Sequence, residues 1–220
     1  MTTSSPVAGR RARPRPPAID LLVLAGGRGR RLGGQDKAAL VVAGEPLLDR
    51  LLGTVDLGPR GSRTYGGRVV VVGDTPVPAG VLRTVEEPAG GGPVAGIAAG
   101  LDLLEKASSH DWVAVVAVDQ PRAGEVLPQL RHELTVVPPG VDAVRAWRPE
   151  TGDQWLLALY RRTSLRAALD RLPTVHGASV RDLVTPLDWL LVLAPEGVLG
   201  DVDTWEDARA WEDRLSAPGD

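Results

Sequence analysis

Several short runs of this chain consist almost entirely of apolar residues. Residues 69–72 are four consecutive valines, and residues 113–118 contain only valine and alanine. A strand without polar alternation has both faces buried, which is typical of parallel sheets covered by helices on both sides. These runs therefore constrain the fold more than any other feature of the sequence.

Amphipathic segments alternate with the apolar runs and are predicted to be helices. Strands are predicted at residues 19–24, 68–72, 82–85, 112–118, 143–146, 155–160 and 190–193, and helices at 46–55, 94–106, 124–133, 164–171, 179–183 and 204–215. This alternation predicts an α/β fold with a three-layer, Rossmann-like open sheet that is mostly parallel. Ligands of such sheets bind at the carboxyl ends of the strands.

Length and composition indicate one globular domain with short tails. The 220 residues are assigned to a disordered N-terminal tail at 1–17, a single domain at 18–215 and a tail at 216–220. A net charge of −3 provides no general attraction to nucleic acid or membranes, and the absence of cysteine excludes disulfides. Neither a secretion signal nor a transmembrane stretch is evident, so a cytoplasmic location is expected.

A glycine- and arginine-rich segment, residues 25–37, follows the first predicted strand. Its glycines allow backbone N–H groups to approach phosphate oxygens, and Arg28, Arg30, Arg31 and Lys37 supply positive charge. The spacing matches neither the Walker motif nor the dinucleotide-binding motif. It predicts an open loop that wraps a nucleotide; the alternative is a surface turn with solvated arginines.

Acidic residues stand at two further positions where strands or loops end. Asp119 directly follows the apolar run 113–118 and suits a Mg²⁺ site, although it could simply form a turn with Pro121. Near the C-terminus, Asp203 or Thr204 is expected to cap the last helix. Asp201 is then left as a candidate contact to metal or substrate.

Two glutamates, Glu86 and Glu87, precede three glycines and Pro93. Pro93 can occupy the first turn of a helix, and the small residues after it allow that helix to pack closely on the sheet or approach a ligand. A carboxylate at this position could accept hydrogen bonds from guanine. The alternative is a loop with solvated glutamates.

Together these segments resemble the molybdenum cofactor guanylyltransferases of the nucleotidyltransferase superfamily. The resemblance covers about residues 18–215 and implies a fold of the nucleotide-diphospho-sugar transferase type. The matching motifs are Leu24-Ala25-Gly26-Gly27, Arg31-Leu32-Gly33, Asp36-Lys37, Gly92-Pro93-Val94-Ala95-Gly96 and Asp119-Gln120-Pro121. Gln120 also occurs in related cytidylyltransferases, whereas Gly26-Gly27 and Asp36 favour the guanylyl type.

The resemblance also implies a role for each matching residue. Lys37, Asp119 and Arg31 would be catalytic, and Asp119 would bind Mg²⁺, with Asp201 or Asp203 as further candidate ligands. Glu87 would contact the base, with Glu86 as the alternative. The full set implied to contact the nucleotide is Leu24, Ala25, Gly26, Gly27, Arg28, Lys37, Glu87 and Asp119.

The implied reaction is transfer of GMP from GTP to the terminal phosphate of molybdenum-bound molybdopterin, with release of pyrophosphate. Its partners would be GTP, molybdopterin and, transiently, proteins that handle or accept molybdopterin, but no nucleic acid or membrane. The alternatives are cytidylyl transfer to molybdopterin, guanylyl transfer to phospholactate, a sugar-1-phosphate acceptor, or a non-catalytic nucleotide-binding protein. Candidate acceptor contacts are weak and scattered: Arg145, Arg148, Gln154, Arg161 and Arg181.

Overall fold

The computed structural model describes residues 15–26, 28–29, 32–54 and 66–217. Three parts of the sequence analysis lie outside these ranges: most of the predicted N-terminal tail, the last three residues, and the motif residues Gly27, Arg30 and Arg31.

Among the described residues, seven strands form one central sheet, and four short strands form two small hairpins. In the sheet the order is β11-β9-β10-β8-β1-β6-β7. The strands are β1 (Ile19–Leu24), β2 (Arg28–Gly29), β3 (Gln35–Asp36), β4 (Val41–Val42), β5 (Glu45–Pro46), β6 (Gly66–Val72), β7 (Leu82–Thr84), β8 (Trp112–Ala117), β9 (Ala143–Arg148), β10 (Gly152–Arg161) and β11 (Trp189–Leu193).

All neighbouring strands of the central sheet run parallel except β10, which is antiparallel to both β8 and β9. At the centre, Leu22 of β1 is level with Val70 of β6 and Val115 of β8. These three side chains are completely buried. The uninterrupted apolar runs thus form the middle of the sheet, as predicted from their burial on both faces.

Helices cover both faces of the sheet and complete the three layers. They are α1 (Leu47–Gly53), α2 (Pro93–Ala107), α3 (Ala123–Glu133), α4 (Arg162–Asp170), α5 (Val180–Val184) and α6 (Trp205–Ser216). Apolar residues of α1, α3 and α6 belong to one core cluster, and those of α2, α4 and α5 belong to the other. The predicted fold class is confirmed, and each predicted element lies within a few residues of its observed position.

Helix α2 packs against the sheet at unusually short range because it carries glycines on its inner face. A Cβ added at Gly96 would lie 3.0 Å from a methyl group of Leu24, and one at Gly100 would lie 2.6 Å from a methyl group of Leu22. The small residues that follow Pro93 in the sequence predicted this close approach.

A buried ion pair that the sequence analysis did not predict lies at the amino end of the sheet. Asp20 of β1 is completely buried; its carboxylate pairs with Arg162 and accepts a hydrogen bond from the backbone N–H of Arg68 at 2.7 Å. The guanidinium of Arg162 also donates to the carbonyl oxygens of Leu104 and Ser108. One ionic cluster therefore joins β1, β6, α2 and α4.

The end of the predicted N-terminal tail contacts the domain. The guanidinium of Arg131 in α3 donates to the carbonyl oxygens of Pro17 at 2.7 Å and Pro16 at 3.1 Å. The backbone carbonyls of these two prolines are therefore hydrogen-bonded to α3. Within the described part of the chain, no helix is long and apolar enough to cross a membrane.

Candidate functional site

The carboxyl ends of β1, β6 and β8 meet at one edge of the sheet, where backbone hydrogen bonds fix the turn after β1. The N–H of Ala25 donates to the carbonyl of Val72 at 2.8 Å, and the N–H of Val118 donates to the carbonyl of Leu24 at 3.0 Å. Leu24 and Ala25 are buried, and Gly26 is exposed. The predicted nucleotide contacts at these three residues therefore lie at the edge where ligands of such sheets bind.

The segment after Gly26 returns to this edge as a small hairpin. Strand β2 pairs with β3, with Arg28 opposite Asp36, and Leu32 between them is buried in the core. The carboxylate of Asp36 accepts a hydrogen bond from the N–H of Ala38 at 2.9 Å and so caps a short 3-10 turn that begins at Lys37. Hairpin, buried leucine and cap together bring Lys37 back to the sheet edge.

Lys37 lies between two acidic residues that come from distant parts of the chain. Its Nζ is 2.7 Å from Oδ2 of Asp119 and 2.6 Å from Oδ1 of Asp203. The side chains of Lys37 and Asp119 are only 16% and 19% exposed. Burial acts to lower the pKa of Lys37, but the two carboxylates outweigh it and the pKa is raised. Lys37 is therefore a firmly held cation.

Hydrogen bonds fix the loop before α6, from which Asp203 contacts this lysine. The N–H of Val202 donates to the carbonyl of Asp119 at 2.8 Å. Thr204 caps α6, and the side chain of Asp207 in turn accepts hydrogen bonds from the N–H groups of Asp203 and Thr204. Asp203 and Thr204 were the two predicted candidates for the N-cap of α6, and Thr204 is the cap. The carboxylate of Asp203 is therefore available to Lys37.

Around Lys37, the described acidic side chains outnumber the described basic ones. The pKa of Asp201 is raised, mainly by partial burial and to a lesser extent by repulsion from Asp119 and Asp203. Within the described ranges, no three acidic or histidine side chains are arranged to hold one metal ion. Mg²⁺ is commonly bound through one or two carboxylates together with substrate phosphates, and Asp119 and Asp203 fit that pattern because both contact one ammonium group.

The two candidate base-contacting glutamates point to different places. A Cβ at Gly26 would lie 4.0 Å from Oε2 of Glu86, and Oε1 of Glu86 accepts a hydrogen bond from the N–H of Gly90 at 3.1 Å. Glu87 is exposed and lines a groove of about 520 Å³ between β7 and α2. The alternative, Glu86, is therefore the glutamate beside the turn that follows β1.

The five candidate acceptor contacts do not form one site. Arg161 donates to the carbonyl of Val141 and stacks on Trp112, which lies at the amino end of β8. Gln154, in contrast, lies at the carboxyl edge and accepts a hydrogen bond from Nε2 of Gln120 at 3.2 Å. The sequence analysis did not foresee this contact, because no local pattern relates residues 34 positions apart.

The other three candidates are Arg148, Arg181 and Arg145. Arg148 donates to the carbonyl of Ala194 and pairs with Glu150, and Arg181 belongs to the exposed surface of α5. Arg145 pairs with Asp153, with 2.6 Å between Nη1 and Oδ1. Of the five candidates, Gln154 is the one that contacts the residue after Asp119.

Comparisons with known proteins identify the family of this chain. A family model described as MobA-like NTP transferase domain matches residues 21–189. A molybdenum cofactor guanylyltransferase of Pseudomonas putida (strain GB-1) is 34% identical over 122 residues, which cover 50% of this chain and 55% of that protein. A protein of the same name from Pseudomonas aeruginosa (strain PAO1) is 30% identical over 150 residues, which cover 63% and 65%. The matched segments span roughly half to two thirds of these relatives.

Solved structures share the fold over nearly the whole chain. Molybdopterin-guanine dinucleotide biosynthesis protein A from Archaeoglobus fulgidus superposes with a TM-score of 0.64 at 20% identity, covering 90% of this chain and 99% of that one. The 4-diphosphocytidyl-2C-methyl-D-erythritol synthase from Anaerococcus prevotii gives a TM-score of 0.65 at 13% identity, covering 92% and 100%. At these identities the comparison establishes the fold.

Proposed function

Because this chain belongs to the MobA-like NTP transferase family, we propose that it transfers GMP from GTP to the terminal phosphate of molybdopterin and releases pyrophosphate. The observation that supports this most is the ionic cluster of Lys37, Asp119 and Asp203 beside the turn after β1. The name of the curated relatives, molybdenum cofactor guanylyltransferase, supports a guanine nucleotide and the molybdenum cofactor as the substrates. A cytoplasmic location and transient contacts with molybdopterin-handling proteins belong to the same proposal.

The nucleotide would lie along the turn formed by Leu24, Ala25 and Gly26. Backbone groups of this turn would contact the nucleotide, and Gly26 would allow close approach because it has no side chain. Glu86, whose carboxylate reaches Gly26, would accept hydrogen bonds from N1–H and the amino group of guanine. Glu87, which lines another groove, has no such role in this proposal.

The chemistry requires no side-chain nucleophile. An oxygen of the acceptor phosphate forms a bond to the α-phosphorus of GTP, and the bond from the α-phosphorus to the α,β-bridging oxygen breaks. Pyrophosphate departs with that electron pair. The enzyme then contributes alignment and charge stabilisation, and Lys37 would supply positive charge to the leaving phosphates.

Mg²⁺ fits the donor set of this site. Asp119 and Asp203 would hold it, with Asp201 nearby, and when bound it would polarise the phosphate and offset negative charge. Lys37 would then be free to turn from these carboxylates toward the phosphates. Arg31, which lies outside the described residues, is proposed as a second cation for the phosphates on the basis of its motif.

The choice of base can be tested by nucleotide binding with matched variants. A carboxylate left unpaired by cytosine costs about 1–3 kcal/mol, so GTP should bind at least about tenfold more tightly than CTP in the presence of Mg²⁺. Glu86→Gln should reduce this ratio, and the neighbouring control Glu87→Gln should leave it unchanged. Thermal shift and calorimetric titration with GTP and with CTP would measure this ratio for the unmutated protein and for each variant. Equal affinity of the unmutated protein for GTP and CTP would reject guanine as the base and favour cytidylyl transfer.

A further inference from the structure

Among the described residues, no helix covers the part of the sheet surface near the end of β11. Leu191 and Leu193 of this edge strand are 47% and 59% exposed. Trp189, two residues earlier on the same face, packs against the core on the side of α2, α4 and α5, and its ring meets Tyr160 edge-on at 5.5 Å. The helices therefore cover this face at the start of β11 and leave it open toward the carboxyl edge.

The neighbouring strand extends the open surface. Parallel pairing places Arg145 beside Leu191 and Trp147 beside Leu193. Trp147 is half-buried. We call Trp147, Leu191 and Leu193 the Trp147 shelf. Two charged side chains, Arg145 and Asp153, lie at its border. The guanidinium of Arg145 stacks on Trp189 at 5.3 Å from the ring centroid and pairs with Asp153.

The Trp147 shelf lies at the same edge of the sheet as Asp119. Only β10 separates β9 from β8, and the hydrogen bond from Gln120 to Gln154 joins the start of β10 to the residue after Asp119. With strands about 4.8 Å apart, the ends of β9 and β8 are about 10 Å from each other. This is the length scale of a fused-ring molecule that carries a phosphate at one end.

We propose that the Trp147 shelf binds the pterin ring of the acceptor while its terminal phosphate reaches Lys37 and Asp119. This inference rests on the proposed function and adds the location of the acceptor ring. A planar heterocycle stacks favourably on an indole and on leucine side chains. The Arg145–Asp153 pair at the border offers both a donor and an acceptor to the polar edge of such a ring.

Two substitutions of the shelf test the assignment. Trp147→Ala and Leu193→Ser should each raise KM for molybdopterin, by about tenfold for Trp147→Ala, with little change in kcat or in KM for GTP. Trp147→Phe should retain most of the affinity because it keeps an aromatic surface. Val136→Ser is the matched control, since Val136 is 68% exposed and follows α3 on a different part of the surface.

A binding measurement separates this inference from the proposed function. Calorimetric titration of each protein with molybdopterin should show weaker binding for Trp147→Ala and unchanged binding for the control even if no GMP is transferred. Absence of GMP transfer by the unmutated protein would reject the proposed function alone. Unchanged molybdopterin affinity in both shelf variants would overturn the shelf assignment. A second result would also overturn the shelf assignment: the unmutated protein forms a dimer, and Leu193→Ser abolishes the dimer without changing KM for molybdopterin. The shelf would then bind a second copy of this chain.

Discussion

Replacement of Asp20 by asparagine tests whether the buried ion pair holds the amino end of the sheet together. Asparagine has the same shape and keeps an oxygen to accept the hydrogen bond from the N–H of Arg68, but it removes the negative charge that faces Arg162. The Arg162 side chain is 11% exposed, so its charge would be left nearly buried without a counter-charge.

The expected loss of stability follows from this burial. Removing one partner of a buried ion pair costs about 3–5 kcal/mol. Arg162 would still donate to the carbonyls of Leu104 and Ser108, so the lower end, about 3 kcal/mol, is expected. For a domain of this size, each kcal/mol lowers Tm by roughly 2–4 °C, which predicts a decrease of about 6–12 °C.

Urea unfolding followed by circular dichroism gives the free energy of unfolding and its denaturant dependence. Asp74→Asn is the matched control, because Asp74 forms an exposed ion pair with Arg83, and such pairs contribute about 0–1 kcal/mol. Replacing both members of the buried pair, as in Asp20→Asn with Arg162→Met, should cost less than Asp20→Asn alone. A loss below about 1 kcal/mol for Asp20→Asn would refute the reasoning.

Three further substitutions test other parts of the structure. Asp119→Asn should lower turnover by orders of magnitude without unfolding the protein, and near-normal turnover at saturating Mg²⁺ would move the metal role to another acid. Gly100→Ala should destabilise by about 1–3 kcal/mol through overpacking, whereas the helix-end control Gly53→Ala should be neutral or stabilising in the same thermal melts. Hydrogen bonds from Thr204 lower the pKa of Asp207, so the stability lost in Asp207→Asn should be constant at neutral pH and diminish below about pH 4; a pH-independent difference would contradict this.

The sequence predicted the fold well because the relevant signals are local. Uninterrupted valine runs mark buried parallel strands wherever they occur, and Pro93 with the small residues after it marks a helix that packs closely on its sheet. The antiparallel direction of β10 is not encoded by any such pattern, since it depends on which strands become neighbours.

The candidate site was predicted in part. The sequence placed the turn at Gly26 and Asp119 at the ends of buried strands, and Lys37 in the loop that begins at that turn. It could not show that Asp203 reaches the same lysine, since that contact depends on Thr204 acting as the helix cap. It favoured Glu87 over Glu86 as the base contact, whereas Glu86 lies nearer Gly26; adjacent residues point in different directions, and only the path of the backbone decides which one comes close.

The central claim is tested most directly by measuring pyrophosphate release with each of the four nucleoside triphosphates, with and without molybdopterin, and by identifying the product. The proposal predicts that release requires Mg²⁺, molybdopterin and GTP together, and that the product carries GMP on the terminal phosphate of molybdopterin. Equal turnover with CTP, or GTP turnover that is independent of molybdopterin, would contradict it.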